Sequence, residues 1–328
     1  MQTKQQLLLY LDGNRQRFVS GEELCRELGI TRATLWSFVR SLRAAGYRID
    51  AEHGQGYRLD ARCELYESAA LQARLREAAS QYTVTVVPSL PSTNATLKEM
   101  AKDGAPTGTV LIANKQSSGY GRKERSFFSP NGGIYMSILL RPDLAPSDAL
   151  TLTTTAAVAV VDVIRDLMNE DAQIKWVNDI YLHGKKVCGI LTEAALTPDG
   201  KLDYAVLGIG INVFHPKGGF PKAIHSIAGA LYPVDVEERG QRSAIVIALL
   251  ERLAELLPKS TSPALHAAYC RASLLPGRMI TVLREDAPES EAVVLGIDEQ
   301  YRLLVRYADG RTEPLFTGEV SVRESSLK

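Results

Sequence analysis

Along the first sixty positions, apolar residues fall at helical spacing and are cut by turn formers. Leu7-Leu8-Leu9-Tyr10-Leu11 predicts a short helix that stops at Asp12-Gly13-Asn14. Ser20 and Glu23 stand at capping-box spacing, which predicts a second helix running to Leu28 and turning at Gly29. Thr31 caps a third, from Arg32 to about Ala45, closed by Gly46. Within it Leu35, Val39 and Leu42 recur at i, i+4, i+7 as a buried stripe, and Trp36 is expected to pack in the core. Two strand-like pieces follow, 47–51 and 56–59, joined by Glu52-His53-Gly54-Gln55. Helix, turn, helix and hairpin is the winged helix-turn-helix order. Arg32, Ser37, Arg40 and Arg43 lie off the buried stripe, and with Thr34 and Gln55 they are the candidate DNA contacts.

Residues 63–81 read as a helical connector packing through Leu65, Ala69 and Leu75. Beyond it the apolar pattern alternates between periods of about two and 3.6. Strands are predicted over 82–87, 110–113, 133–140, 174–182 and 206–213, and helices over 95–101, 151–168 and 243–257. Repeated βαβ units are missing, which excludes a doubly wound parallel fold and favours an α+β sheet. From about Leu274 the pattern is all-β, with turns at Asp298-Glu299 and Asp309-Gly310, and predicts a small SH3-like barrel. The expected division is therefore 1–63, a winged helix-turn-helix; 64–82, a linker helix; 83–272, an α+β core; and 273–328, the barrel.

The totals narrow the class. The chain has 328 residues, 45% of them hydrophobic and 23% charged. No uninterrupted apolar run has the ~18 residues of a membrane span, and no secretory signal opens the chain. The formal net charge is zero, so nucleic-acid binding has to come from a local face. Residues 1–62 carry ten Lys/Arg against seven Asp/Glu, +3, and between Thr31 and Ile49 there are four arginines and no acid. Cys25, Cys63, Cys188 and Cys270 lack metal-ligand spacing and read as reduced thiols of a cytoplasmic protein.

Two stretches carry candidate chemistry. Ser117-Ser118-Gly119-Tyr120-Gly121-Arg122-Lys123-Glu124-Arg125 combines glycines that permit close backbone approach with permanently charged guanidinium forks. That is a loop suited to closing over an anion, and no Gly-Lys-Ser/Thr follows to make it a P-loop. In Ile174-Lys175-Trp176-Val177-Asn178-Asp179-Ile180-Tyr181-Leu182 one lysine sits inside an apolar run, where its ammonium requires a counter-ion or an anionic ligand.

With Ser92-Thr93-Asn94, with Gln116 ahead of the loop, and with Gly189-Ile190-Leu191-Thr192-Glu193 and Gly208-Ile209-Gly210-Ile211-Asn212, these motifs resemble those of the bifunctional biotin–protein ligases that also repress the biotin operon. The resemblance covers nearly the whole chain, flanking domains included. It implies that biotin and ATP react to give biotinyl-5′-AMP and diphosphate, after which a lysine of a biotin carrier domain takes the biotinyl group. It further implies Lys175 and Arg122 as catalytic residues. Biotin would meet Ser92, Thr93, Asn94, Gln116, Gly119, Tyr120, Arg122, Lys175 and Gly189. ATP and the adenylate would meet Arg122, Arg125, Phe127, Lys175, Asn178, Asn212 and Arg323, with Asp179 and Asn212 holding Mg²⁺. A homodimer, formed when biotinyl-5′-AMP acts as co-repressor, would bind operator DNA. The chain departs from the family pattern at Tyr120 (an arginine there), Glu124 (a glycine), Val177 (a proline) and Phe127 (a tryptophan). Tyr120 and Glu124 leave open a second reading, a biotin-sensing repressor with weakened or lost ligase activity. A relative that activates lipoate or octanoate is the third.

Overall fold

The computed structural model describes residues 3–44, 47–61, 63–233, 240–284, 287–316 and 320–324, with backbone alone at 287 and 320–324. The chain divides into two compact units. One takes in the described residues of Met1–Leu75 and Asp235–Ile247, the other those of Arg76–Val234 and Ala248–Lys328.

In the first unit, α1 (Thr3–Gly13), α2 (Gly21–Leu28) and α3 (Arg32–Ala44) precede the hairpin β1 (Ile49–Glu52) and β2 (Gly56–Leu59). The expected signals do the work. The Glu23 N–H donates to Ser20 Oγ at 3.1 Å, and Gly29 ends α2 in the left-handed region. The Thr34 N–H donates to Thr31 Oγ1 at 3.2 Å to open α3. Gly46, expected to close α3, lies outside the described residues. Leu35, Val39 and Leu42 are buried against Leu7, Leu11, Leu24 and Leu59. Trp36 is a correction: it is 59% exposed, since its position lies beside the buried stripe and not on it. The connector is also corrected. Only α4 (Ser68–Arg74) and one short turn at Glu77–Ala79 are helical. Because Glu67 is still extended and Leu75 already is again, the packing side shifts from Ala69 and Leu75 to Ala70 and Leu71.

In the second unit the elements run β3 (Thr83–Val87), α5 (Thr93–Lys102), β4 (Thr109–Ala113), β5 (Ile134–Leu140), α6 (Leu150–Met168), β6 (Gln173–Lys175), β7 (Asp179–Leu182), β8 (Lys185–Leu196) and β9 (Leu202–Ile211). After α7 (Gln241–Leu256), whose residues up to Ile247 belong to the first unit, come α8 (Pro263–Ala272) and the strands β10 (Met279–Arg284), β11 (Ala287–Ile297), β12 (Leu303–Tyr307), β13 (Thr312–Leu315) and β14 (Val320–Glu324). The main sheet has seven strands in the order β3-β4-β5-β9-β8-β7-β6. Only β3 and β4 run parallel, so the fold is α+β as expected. The C-terminal strands make an antiparallel five-stranded sheet, β13-β12-β11-β10-β14, consistent with the expected barrel.

The stretch 146–168 is long and apolar enough to cross a membrane by composition, yet 72% of that window is buried within the protein, as a core helix. The single strand expected over 174–182 is instead two. Trp176 to Asn178 turn the chain, so that β6 and β7 pair with Lys175 opposite Asp179. The Trp176 indole N–H donates to the Tyr301 carbonyl at 2.8 Å, and the Tyr269 hydroxyl to the Val177 carbonyl at 3.0 Å.

Candidate active site

A cavity of about 540 Å³ opens on one face of the seven-stranded sheet. Its walls come from the start of α5, the 116–128 loop, the β6–β7 turn, β8, β9 and the 220–228 segment. Of the residues expected to bind biotin or nucleotide, Ser92, Thr93, Asn94, Gln116, Tyr120, Arg122, Arg125, Phe127, Lys175, Asn178, Gly189 and Asn212 all line it, and so does Asp179. Gly119 does not. It is buried behind the wall, where a Cβ would come within 2.5 Å of Ser129 Oγ and 2.8 Å of the Phe127 carbonyl oxygen. The backbone of β14 places Arg323 opposite Thr281, and its side chain lies outside the described residues.

One side is a polar, mutually bonded wall. Ser92 caps α5, accepting from the Ala95 N–H at 3.3 Å. Gln116 Oε1 accepts from the Thr93 N–H at 2.8 Å and the Thr93 hydroxyl at 3.1 Å, while its Nε2 donates to Ser129 Oγ at 3.0 Å. Asn94 donates to the Leu191 carbonyl at 3.3 Å and to Glu193 Oε2 at 2.9 Å. The fully buried Ser137 hydroxyl lies 2.6 Å from Asn94 Oδ1 and 2.7 Å from Thr93 Oγ1. Asn94 thus spends its polar atoms on the protein, and it rests on Gly208, where any Cβ would meet Asn94 Oδ1 at 2.1 Å. Ser137 escaped the sequence reading, since nothing distinguishes one serine in an apolar strand.

The opposite side is cationic. Arg122 and Arg125 face the cavity from the loop, and Lys175 and Lys186 from the sheet. Burial draws the Arg122 guanidinium below its ordinary pKa, partly offset by Asp179. Among the described residues the Arg122 guanidinium makes no hydrogen bond and no ion pair. Lys175 lies 5.5 Å from the Tyr181 ring centroid. The register of β8 turns Lys186 to the cavity, where its Nζ sits 2.5 Å from Asp179. Asn178 donates to the Ile190 carbonyl at 2.7 Å and Asn212 to the Gly229 carbonyl at 2.9 Å, which fixes the carboxamides at the edge of the site. The Phe127 ring lies over the paired glycines Gly189 and Gly210, within 2.6 Å of a Cβ at Gly210.

The loop closes through a neck in which the Phe127 N–H donates to the Gly119 carbonyl and the Gly121 N–H to the Arg125 carbonyl, both at 2.8 Å. At its tip Lys123 and Glu124 take φ of 53° and 55°, the left-handed region. Glu124 is exposed.

In the other unit, Arg32, Ser37 and Arg40 are exposed on α3, Thr34 is half-buried and Gln55 stands exposed in the hairpin turn, donating to Glu52 at 2.6 Å. Arg40 lies 5.5 Å from the Trp36 ring centroid. Arg43 is partly committed, since its guanidinium donates to the Ile49 carbonyl.

Comparison with known proteins agrees with both parts. The model of the biotin/lipoate A/B protein ligase family matches residues 86–212, and that of an HTH domain matches residues 3–58. The bifunctional ligase/repressor BirA of Bacillus spizizenii (strain ATCC 23059 / NRRL B-14472 / W23) is 35% identical over 234 residues, 71% of this chain and 72% of that protein. The chain belongs to the biotin–protein ligase family. Its similarity to the family's bifunctional ligase/repressor BirA of Escherichia coli (strain K12) is 28% identity over 315 residues, 94% of either chain. A solved biotin protein ligase from Aquifex aeolicus, in complex with biotin and ATP, superimposes with a TM-score of 0.61 at 28% identity, covering 74% of this chain and 99% of that one.

Proposed function

We propose that this protein is an ATP-dependent biotin–protein ligase that also represses transcription in response to biotin. The observation that carries the ligase reading is the desolvated Arg122 guanidinium, without an ion pair among the described residues, facing Lys175 and Lys186 across one cavity. A cation taken out of water is costly unless an anion joins it, and here cations converge on one space. Joining a carboxylate to a nucleotide brings two anions together, which requires fixed positive charge and held geometry. The neutral wall of Ser92, Thr93 and Gln116 supplies donors and acceptors for an uncharged ureido ring. Lys175 and Lys186 then face the reacting carboxylate and α-phosphate, and Arg122 and Arg125 the phosphates. The Phe127 ring, on its glycine floor, provides an apolar surface for biotin or adenine.

The donor chemistry fits Mg²⁺, which prefers oxygen ligands shared with substrate phosphates. Asp179 and Asn212 would hold it, and it would shield phosphate charge. Transfer to a carrier-domain lysine, dimerisation on binding biotinyl-5′-AMP, operator binding and a cytoplasmic location complete the reading. The division at 63, 82 and 272 is part of it, with α3 as recognition helix and the β1–β2 hairpin as wing.

The test is biotin-dependent release of diphosphate from ATP, followed by labelling of a carrier domain. Lys175→Ala is expected to abolish adenylate formation with the fold intact. Near-wild-type diphosphate release from that variant contradicts the mechanism. Tight biotin binding without labelling would favour the biotin-sensing repressor with lost ligase activity.

A further inference from the structure

Tyr120 stands where the family pattern has an arginine, and its hydroxyl donates to Glu193 Oε2 on β8 at 2.9 Å. It sits between the two neck hydrogen bonds of the loop, so its side chain is an arm from the loop to the sheet. The carboxylate it reaches is itself held. Lys98 Nζ lies 2.5 Å from Glu193 Oε1, and Asn94 donates to Glu193 Oε2. Lys98 also stands 5.8 Å from the Tyr120 ring centroid. Burial acts to raise the Glu193 pKa, but its three partners outweigh that and hold it below the ordinary value. The acceptor is therefore an anchored, ionised group, and bonds to such groups are stronger than neutral ones. The tip beyond the neck is poorly supported, with two residues in the left-handed region and a long Arg125 N–H to Arg122 carbonyl bond of 3.3 Å.

We infer that Tyr120 is a positioning residue which latches the 117–127 loop to the sheet through Glu193, before ligand arrives, and so sets where Arg122 stands over the cavity. Tyrosine in the place of the family's arginine gives the loop an anchor through the Glu193 carboxylate. What the loop retains depends on the ligase reading; the latch itself does not.

The test uses the full-length, ligand-free protein and a glutamate-specific protease, reading cleavage after the exposed Glu124. Tyr120→Phe keeps the ring and removes one hydroxyl; roughly tenfold faster cleavage is expected, the equivalent of one bond to a charged group. Glu193→Gln should accelerate it similarly, and the double variant should be no faster than either single one. Tyr120→Arg, which restores a donor facing Glu193, should cleave at close to the wild-type rate. Cleavage of Tyr120→Phe at the wild-type rate, or accelerations that multiply in the double variant, would overturn the latch. Given biotin and ATP, Tyr120→Phe should also release the adenylate roughly tenfold faster. A wild-type protein that forms no adenylate would contradict the ligase reading, and the protease result would still decide the latch.

Discussion

On the sheet side of the cavity, Thr93, Gln116, Ser137, Asn94 and Glu193 satisfy one another at 2.6–3.1 Å. On the loop side, Arg122 is desolvated with no ion pair among the described residues, and the tip takes a conformation that disfavours its own side chains. The first wall is complete before any ligand enters, so it recognises by fixed dipoles and shape. The second is incomplete and is completed only by an anion. A ligase that must hold a neutral ring still while two anions meet needs both. Energy stored as unmatched charge on one side is tolerable because the other is fully bonded.

The comparison breaks most sharply at the cations. Lys175→Ala or Lys186→Ala is expected to slow adenylate formation by roughly 10³-fold, the scale of losing one preorganised charge at a transition state, with biotin affinity little changed. Single-turnover diphosphate release and calorimetric biotin titration separate the two quantities. Equal losses in both would mean the cations serve binding alone.

Ser137→Ala attacks the other wall. It strips a buried donor from Asn94 Oδ1 and Thr93 Oγ1, and should cost about 1–3 kcal/mol of stability together with biotin affinity. Denaturant unfolding and the same titration check it. A variant as stable as the wild type would show that the wall is not the bonded unit described.

Acid sharpens the contrast, because carboxylates titrate where arginines do not. Glu193 has a folded pKa below its ordinary 4.5, so its contribution is whole above that value and is lost as pH falls through the depressed one. The stability difference between the wild type and Glu193→Gln should therefore narrow below pH 4.5. A difference that persists unchanged in acid would contradict the assignment.

Glu124→Gly is the smallest step. It relieves a left-handed residue at the tip, against the greater freedom glycine gives the unfolded chain, and a net gain below about 1 kcal/mol is expected, read as slightly slower adenylate release. Faster release would mean that Glu124 has a role beyond strain.

Much of this was legible in the sequence. Ser20, Thr31 and Gly29 announced their helix ends, and Leu35, Val39 and Leu42 their buried face. The motifs around Ser92, Gln116, Arg122, Lys175 and Asn212 all came to one cavity. What escaped depended on register and long-range pairing. Which of Lys185 and Lys186 turns inward follows from how β8 pairs past the irregularity at Ile180 and Tyr181. The split of 174–182 follows from Lys175 pairing with Asp179, which an apolar run conceals. Trp36 looked like core by its chemistry and proved to be surface by its angle on α3. Glu193 gained its meaning only when Tyr120, Asn94 and Lys98, distant in the chain, met it.

The measurement that bears most directly on the central claim is biotin-dependent diphosphate release from ATP by the wild type and Lys175→Ala, side by side at saturating biotin. We expect release from the wild type and a loss of roughly 10³-fold in the variant. Equal release from both, or none from the wild type while biotin still binds, would contradict a cavity built to join two anions.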